Sequence, residues 1–187
     1  MDETQAEKRD GFTFRGGAAA LDFIATLTKR MTAEPCDLLA TPRDLARWLK
    51  AANVAQIAPH VSEEELLEAR RLREAIFALA SARADGAPPP AAARSTLNRF
   101  AAQSAASVQL DAHGGLRVSG TVPQFLATLA QDAARVLADP HALRQCEGET
   151  CAIFFIDRSR AGDRRWCSMS ACGNRAKVAD FRRRQAN

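Results

Sequence analysis

Apolar residues fall at helical spacing through most of the first 140 positions, and punctuating residues break the pattern into separate elements. Residues 1–10 are polar and expected to be frayed. Phe12-Thr13-Phe14 alternates as a short strand ending at Gly16-Gly17. From Ala18 the period turns helical, with Leu21, Ile24, Leu27 and Thr28 on one face and Phe23 off that stripe. Thr41-Pro42-Arg43-Asp44 starts a helix to about Ala51, with a hydroxyl cap and Pro at the first helical position, burying Leu45, Trp48 and Leu49. Ser62-Glu63-Glu64-Glu65 reads as a capping box. It opens the longest helix, to about Arg83, with Ala69, Leu72, Ile76 and Leu79 inward and Arg70, Arg71, Arg73 and Glu74 mostly outward.

Asp85-Gly86 and Pro88-Pro89-Pro90 break the chain before a helix over about 91–105 that uses Leu97, Phe100 and Ala101. Val108 and Leu110 alternate with polar residues, as do Leu116 and Val118, around Ala112-His113-Gly114-Gly115, so 107–119 predicts a β-hairpin. Thr121-Val122-Pro123 starts another helix, through Leu126, Leu129, Ala133 and Leu137, which Asp139-Pro140 ends. Residues 12–139 therefore predict one helical domain with one hairpin, mainly α in an α+β arrangement. Residues 141–187 form a separate module.

That module holds four of the five cysteines, as Cys146-x4-Cys151 and Cys167-x4-Cys172 with fifteen residues between the pairs. Two equal pairs read as two knuckles aimed at one tetrahedral zinc ion held by four thiolates. The module has few apolar residues, and small units rarely fold without such a staple. Two disulfides are the rival. They belong to secreted proteins, and the opening Met-Asp-Glu-Thr-Gln-Ala-Glu-Lys lacks the apolar core of a signal peptide. The spacing also lacks the two-residue gap of a redox pair and departs from common iron–sulfur patterns. Cys36, beside Pro35, has no partner in sequence and reads as a buried or idle thiol.

Within the module, Ile153-Phe154-Phe155-Ile156 predicts a strand, and Arg164-Arg165-Trp166 a return that completes a hairpin beside the metal, as in a zinc-ribbon-like unit. Gly173-Asn174 caps a last helix over about 175–184. Its Val178 and Phe181 face the module, and Arg175, Lys177, Arg182 and Arg184 lie on the flanks.

Charge follows the same division. Residues 141–187 carry ten Lys/Arg against five Asp/Glu, and residues 1–140 carry sixteen against seventeen, so the net +4 belongs to the module. Nine of its ten cations are Arg, the side chain that grips phosphate bidentately. This points to a polyanionic partner; a solvated basic face is the plainer alternative.

Catalysis and membrane insertion find little support. His60, His113 and His141 are scattered and read as loop residues, and no nucleophile–base pair is evident. Four thiolates leave zinc no open position for water, so the metal is structural. Asp22, beside Leu21 and Phe23, is the acid expected to be semi-buried, in a salt bridge or as a cap. No run approaches the eighteen apolar residues of a membrane span. Thiol use without an export signal leads to a cytoplasmic expectation.

Residues 146–184 resemble the CGNR zinc finger. The resemblance is carried by Cys146, Cys151, Phe155-Ile156-Asp157-Arg158-Ser159-Arg160, Arg164-Arg165-Trp166-Cys167-Ser168-Met169, Cys172-Gly173-Asn174-Arg175, Lys177 and the terminal arginines. The preceding domain is similar to the ABATE domain, through Gly17, Ala20-Leu21-Asp22-Phe23 and Thr26-Leu27. That domain accompanies this finger in a family of stress-induced bacterial transcription regulators. The resemblance implies zinc ligands Cys146, Cys151, Cys167 and Cys172, and DNA binding with Gly173, Asn174 and Arg175 as contacts. Arg158, Arg160, Arg164, Arg165, Lys177, Arg182 and Arg183 complete the expected nucleic-acid surface. The expected protein is a zinc-dependent, non-enzymatic regulator whose helical domain senses a small-molecule effector or forms a homodimer. The alternative is an RNA-binding or protein-interaction module on the same zinc scaffold.

Overall fold

The computed structural model describes residues 7–139 and 143–185. The first elements are a hairpin of β1 (Glu7–Arg9) and β2 (Phe12–Phe14), helix α1 (Ala19–Ile24), and a second hairpin of β3 (Leu27–Thr28) and β4 (Cys36–Asp37). Helices α2 (Pro42–Ala51), α3 (Glu63–Ala84) and α4 (Ala91–Ala101) follow. A hairpin of β5 (Ser107–Leu110) and β6 (Leu116–Ser119) leads to α5 (Val122–Ala138). The last part holds the hairpin of β7 (Leu143–Gln145) and β8 (Phe154–Ile156), a π-helical turn (Met169–Gly173) and α6 (Asn174–Gln185). The fold is mainly α, and every sheet among the described residues is a two-stranded antiparallel hairpin. No helix among them is long and apolar enough to cross a membrane.

Local chemistry sets the helix starts. Thr41 accepts from the Asp44 amide, and the Asp44 carboxylate accepts from the Thr41 amide. Ser62 and Glu65 make the same reciprocal pair. Each box satisfies amides that a helix start leaves orphaned. Helices α3, α4 and α5 pack together, and α1 and α2 close the core with Leu21, Phe23, Leu45, Trp48 and Leu49 fully buried.

Several expectations need correction. Residues 7–9 form a strand instead of fraying, because their backbone pairs with β2. The first helix stops at Ile24, and Leu27 and Thr28 form β3. There Thr26 Oγ1 donates to the Phe23 carbonyl at 2.6 Å, and the Thr26 carbonyl accepts from the Leu38 amide, which draws the chain into the hairpin. Phe23 is in the core, its ring tilted against Trp48 with centroids 5.0 Å apart. Helix α4 ends at Ala101.

Arg73 is not outward but 2 % exposed. It forks onto the Asp37 carboxylate at 2.6 and 2.8 Å and donates to Thr26 Oγ1, pinning the β3–β4 hairpin to α3. Cys36 is exposed. The hairpin of the cysteine module joins β8 to the preceding β7, not to residues 164–166. The return instead gives a backbone bond from the Glu147 amide to the Arg165 carbonyl. His141 and the start of the linker lie outside the described residues.

The β7–β8 hairpin belongs to both halves of the molecule. Phe154 is wholly buried in the large core, edge-on to Phe77 of α3 at 5.7 Å, with Leu143 and Ile156 packed beside it. Phe155, next in sequence, points to the opposite face and joins the cysteine cluster. The strand period of two thus divides one dipeptide between two cores. At the seam, the Ile156 amide donates to the Gly16 carbonyl at 2.8 Å, and Arg158 donates to the Gly17 carbonyl. Gly17 has φ +77° and lies against Ile156, a backbone state that favours glycine.

Candidate metal centre and basic helix

The two halves of the thiol cluster arrive on different local structures. Cys146 follows β7, its amide bonded to the Ile153 carbonyl. A tight turn, with the Cys151 amide on the Gly148 carbonyl, brings Cys151 back beside it. Gly148 passes so close that a Cβ there would sit 3.3 Å from Cys172 Sγ. Cys167 ends the return, its amide donating to Cys146 Sγ at 3.3 Å. Cys172 sits on the π-helical turn, which Ser168 caps by accepting from the Ala171 amide.

The four sulfurs lie within 4.8 Å of one another. Cys167 Sγ is 3.8 Å from both Cys151 Sγ and Cys172 Sγ. A tetrahedron with Zn–S bonds of about 2.3 Å has edges of about 3.8 Å, so the cluster has the size of a ZnS4 centre. All five cysteines are free thiols. Cys146, Cys167 and Cys172 are buried, and Cys151 is half-buried.

The electrostatics call for a cation. Hydrogen bonds from Cys151 and Cys167 favour one thiolate, at Cys146, and hold its pKa far below the thiol range. The same contacts then resist a second ionisation: hydrogen bonding to Cys146 pushes Cys151 up, and bonds to Cys146 and Cys151 push Cys167 up further. Four thiolates coexist at this spacing only around a dication, which removes the mutual penalty. The donor set therefore fits one structural zinc ion.

The surrounding cations are placed unequally. Arg164 lies over the Phe155 ring at 4.5 Å and donates to the carbonyls of Trp166 and Cys167, so it braces the second knuckle. Arg165 pairs with Glu147 at 2.6 Å and covers Trp166. Arg158 is on the Gly17 carbonyl, Arg183 pairs with Asp180, and Asn174 Nδ2 donates to the Ser170 carbonyl. Arg175 donates to Cys172 Sγ at 3.2 Å. Arg160, Lys177 and Arg182 are exposed and make no hydrogen bond or ion pair among the described residues.

Helix α6 corrects one expectation outright. None of its residues is buried, and Val178 and Phe181 are 49 % and 57 % exposed. The helix begins directly on the π-helical turn and packs chiefly on that turn, which leaves these side chains about half exposed. Sequence reading also missed Ser168 as the cap of this segment. Its hydroxyl three residues before Ala171 is a recognisable signal.

Comparison with known families places these observations. The CGNR zinc finger matches residues 142–185. The ABATE family, described as "Putative stress-induced transcription regulator", matches residues 17–140. No curated protein matches the chain. The chain belongs to the ABATE family and carries a CGNR zinc finger after the ABATE domain.

Proposed function

We propose that this protein is a zinc-dependent transcriptional regulator that works in the cytoplasm and binds duplex DNA through the finger. The observation that carries the reading is α6, a basic helix with no buried residue, beginning directly at the metal centre. A helix free of the core can lie along phosphates or enter a major groove. Arg160, Lys177 and Arg182 are the cations best placed for phosphate, since no partner among the described residues occupies them. Arg158, Arg165 and Arg183 must exchange a present partner to take part. Arg164, Asn174 and Arg175 serve first as braces of the finger. Replacing Arg160, Lys177 and Arg182 together by Ala tests this. The slope of log affinity against log salt should fall by about 2.7, at about 0.9 per phosphate contact. An unchanged slope removes these residues from the interface.

The ABATE domain either senses a small-molecule effector or pairs two chains. The β5–β6 hairpin supports pairing. Val108, Leu110 and Leu116 lie with Val118 on one face, and the first three are 61 %, 76 % and 59 % exposed. A two-stranded hairpin with a bare apolar face gains from a second copy. Sedimentation of the Leu110→Asp variant, expected to be monomeric, checks it.

One observation favours a second reading. Phe181, exposed among cations, suits stacking on an unpaired base or insertion into a protein groove. Tighter binding to single-stranded RNA than to duplex DNA would prefer that reading.

A further inference from the structure

We infer that Arg175 is the positioning residue that joins the metal centre to α6, by donating its guanidinium N–H to the zinc-bound thiolate of Cys172. The inference rests on the four-thiolate zinc reading and goes beyond it, because it concerns what holds the basic helix.

Three observations meet at this residue. The guanidinium lies 3.2 Å from Cys172 Sγ, within hydrogen-bond range for sulfur. Cys172 is 2 % exposed and sits on the π-helical turn immediately before α6. Helix α6 buries no side chain of its own. Backbone bonds from the Asn174 amide to the Ala171 and Met169 carbonyls carry the turn into the helix, and the side-chain bonds that fix its first turn to the finger are Arg175 to Cys172 Sγ and Asn174 to the Ser170 carbonyl.

The chemistry makes the first bond depend on metal. Neutral thiols are weak acceptors, whereas a thiolate accepting from a guanidinium forms a charge-assisted bond. Zinc keeps all four sulfurs deprotonated, so loading gives Arg175 its full partner. In return, the cation offsets part of the net double negative charge of a zinc ion with four thiolates. Groups bonded to metal ligands commonly change metal affinity by about 10- to 100-fold when removed. Lys can supply charge, but it lacks the planar fork that reaches sulfur from this backbone position.

The test uses the full chain without nucleic acid. Zinc affinity is measured by competition with a chromogenic chelator, and hydrogen exchange of the α6 amides is followed in the same samples. Wild type, Arg175→Lys, Arg175→Gln and Arg175→Ala are compared, with Arg184→Ala as a charge control far from the sulfur. The expected result is a loss of about 10- to 100-fold in zinc affinity for Arg175→Ala and Arg175→Gln. Arg175→Lys should recover part of it, and Arg184→Ala should match wild type. Amides of α6 should exchange faster in Arg175→Ala even with zinc saturating. Cobalt substitution adds a spectroscopic check, since losing the donor should shift the thiolate-to-metal charge-transfer band. Wild-type affinity, band position and exchange in all three Arg175 variants would overturn the inference while leaving the zinc reading intact. A wild-type chain that binds no zinc would overturn both.

Discussion

Asp22 shows how far one residue can depart from what its neighbours in sequence imply. It sits on a helix, as expected, but caps no helix. Its Oδ1 accepts from the amides of Arg15 and Gly16, both at 2.7 Å, and so holds the loop whose carbonyls receive Ile156 and Arg158. Burial raises its pKa to about 6 against the pull of those two amides. A carboxyl whose folded pKa exceeds its unfolded value contributes stability below the unfolded pKa and loses it as pH rises through the folded pKa. From about pH 3 to about pH 7, wild type should therefore lose about 3 kcal/mol relative to Asp22→Asn, which keeps an acceptor oxygen without the charge. Urea unfolding of both proteins across that range reads the difference. Parallel curves would mean that the carboxyl is not buried as described. Arg73 teaches a related lesson. Interleaved acids marked it as solvent-facing, yet Asp37, 36 positions away, draws it inside. No local pattern carries that pairing.

At the scale of elements, helix starts were the most legible part of the chain. Thr41, Ser62 and Thr121 all head capping boxes, because caps are short-range chemistry. Ends and short strands were less so. Leu27 and Thr28 fit a helical period, and only pairing with β4 assigns them to a hairpin. Helix α6 marks the sharpest divergence: Val178 and Phe181 have the spacing of a buried stripe but stand about half exposed. Periodicity reports an amphipathic helix, not what covers it. Replacing both by Ser should thus change chain stability by no more than about 0.5 kcal/mol, the usual range for surface sites. A loss above 2 kcal/mol, roughly that of a core truncation, would place them in a core after all.

Across the whole molecule, the cysteine spacing made the metal centre legible, since four ligands in two equal pairs leave little else for the chain to do. The seam between the two cores was not legible. Phe154 and Phe155 look alike in sequence, and only the packing shows that one belongs to the ABATE core and the other to the finger. Phe154→Ala should accordingly destabilise the ABATE domain by about 3–5 kcal/mol, visible in its urea transition, although the residue lies in the zinc-finger match. Cys167→Ser should instead release zinc and loosen the finger, with the α3–α4–α5 core still cooperative. The two variants thereby separate the cores that the hairpin joins.

The central claim, that zinc shapes a basic surface for duplex DNA, is tested most directly by a salt titration of binding on this chain with its metal quantified. Zinc-loaded and chelator-stripped samples are read side by side. One zinc per chain, affinity falling steeply with salt, and loss of binding on stripping are the predicted result. Binding that ignores salt, or that survives metal removal unchanged, would contradict the account.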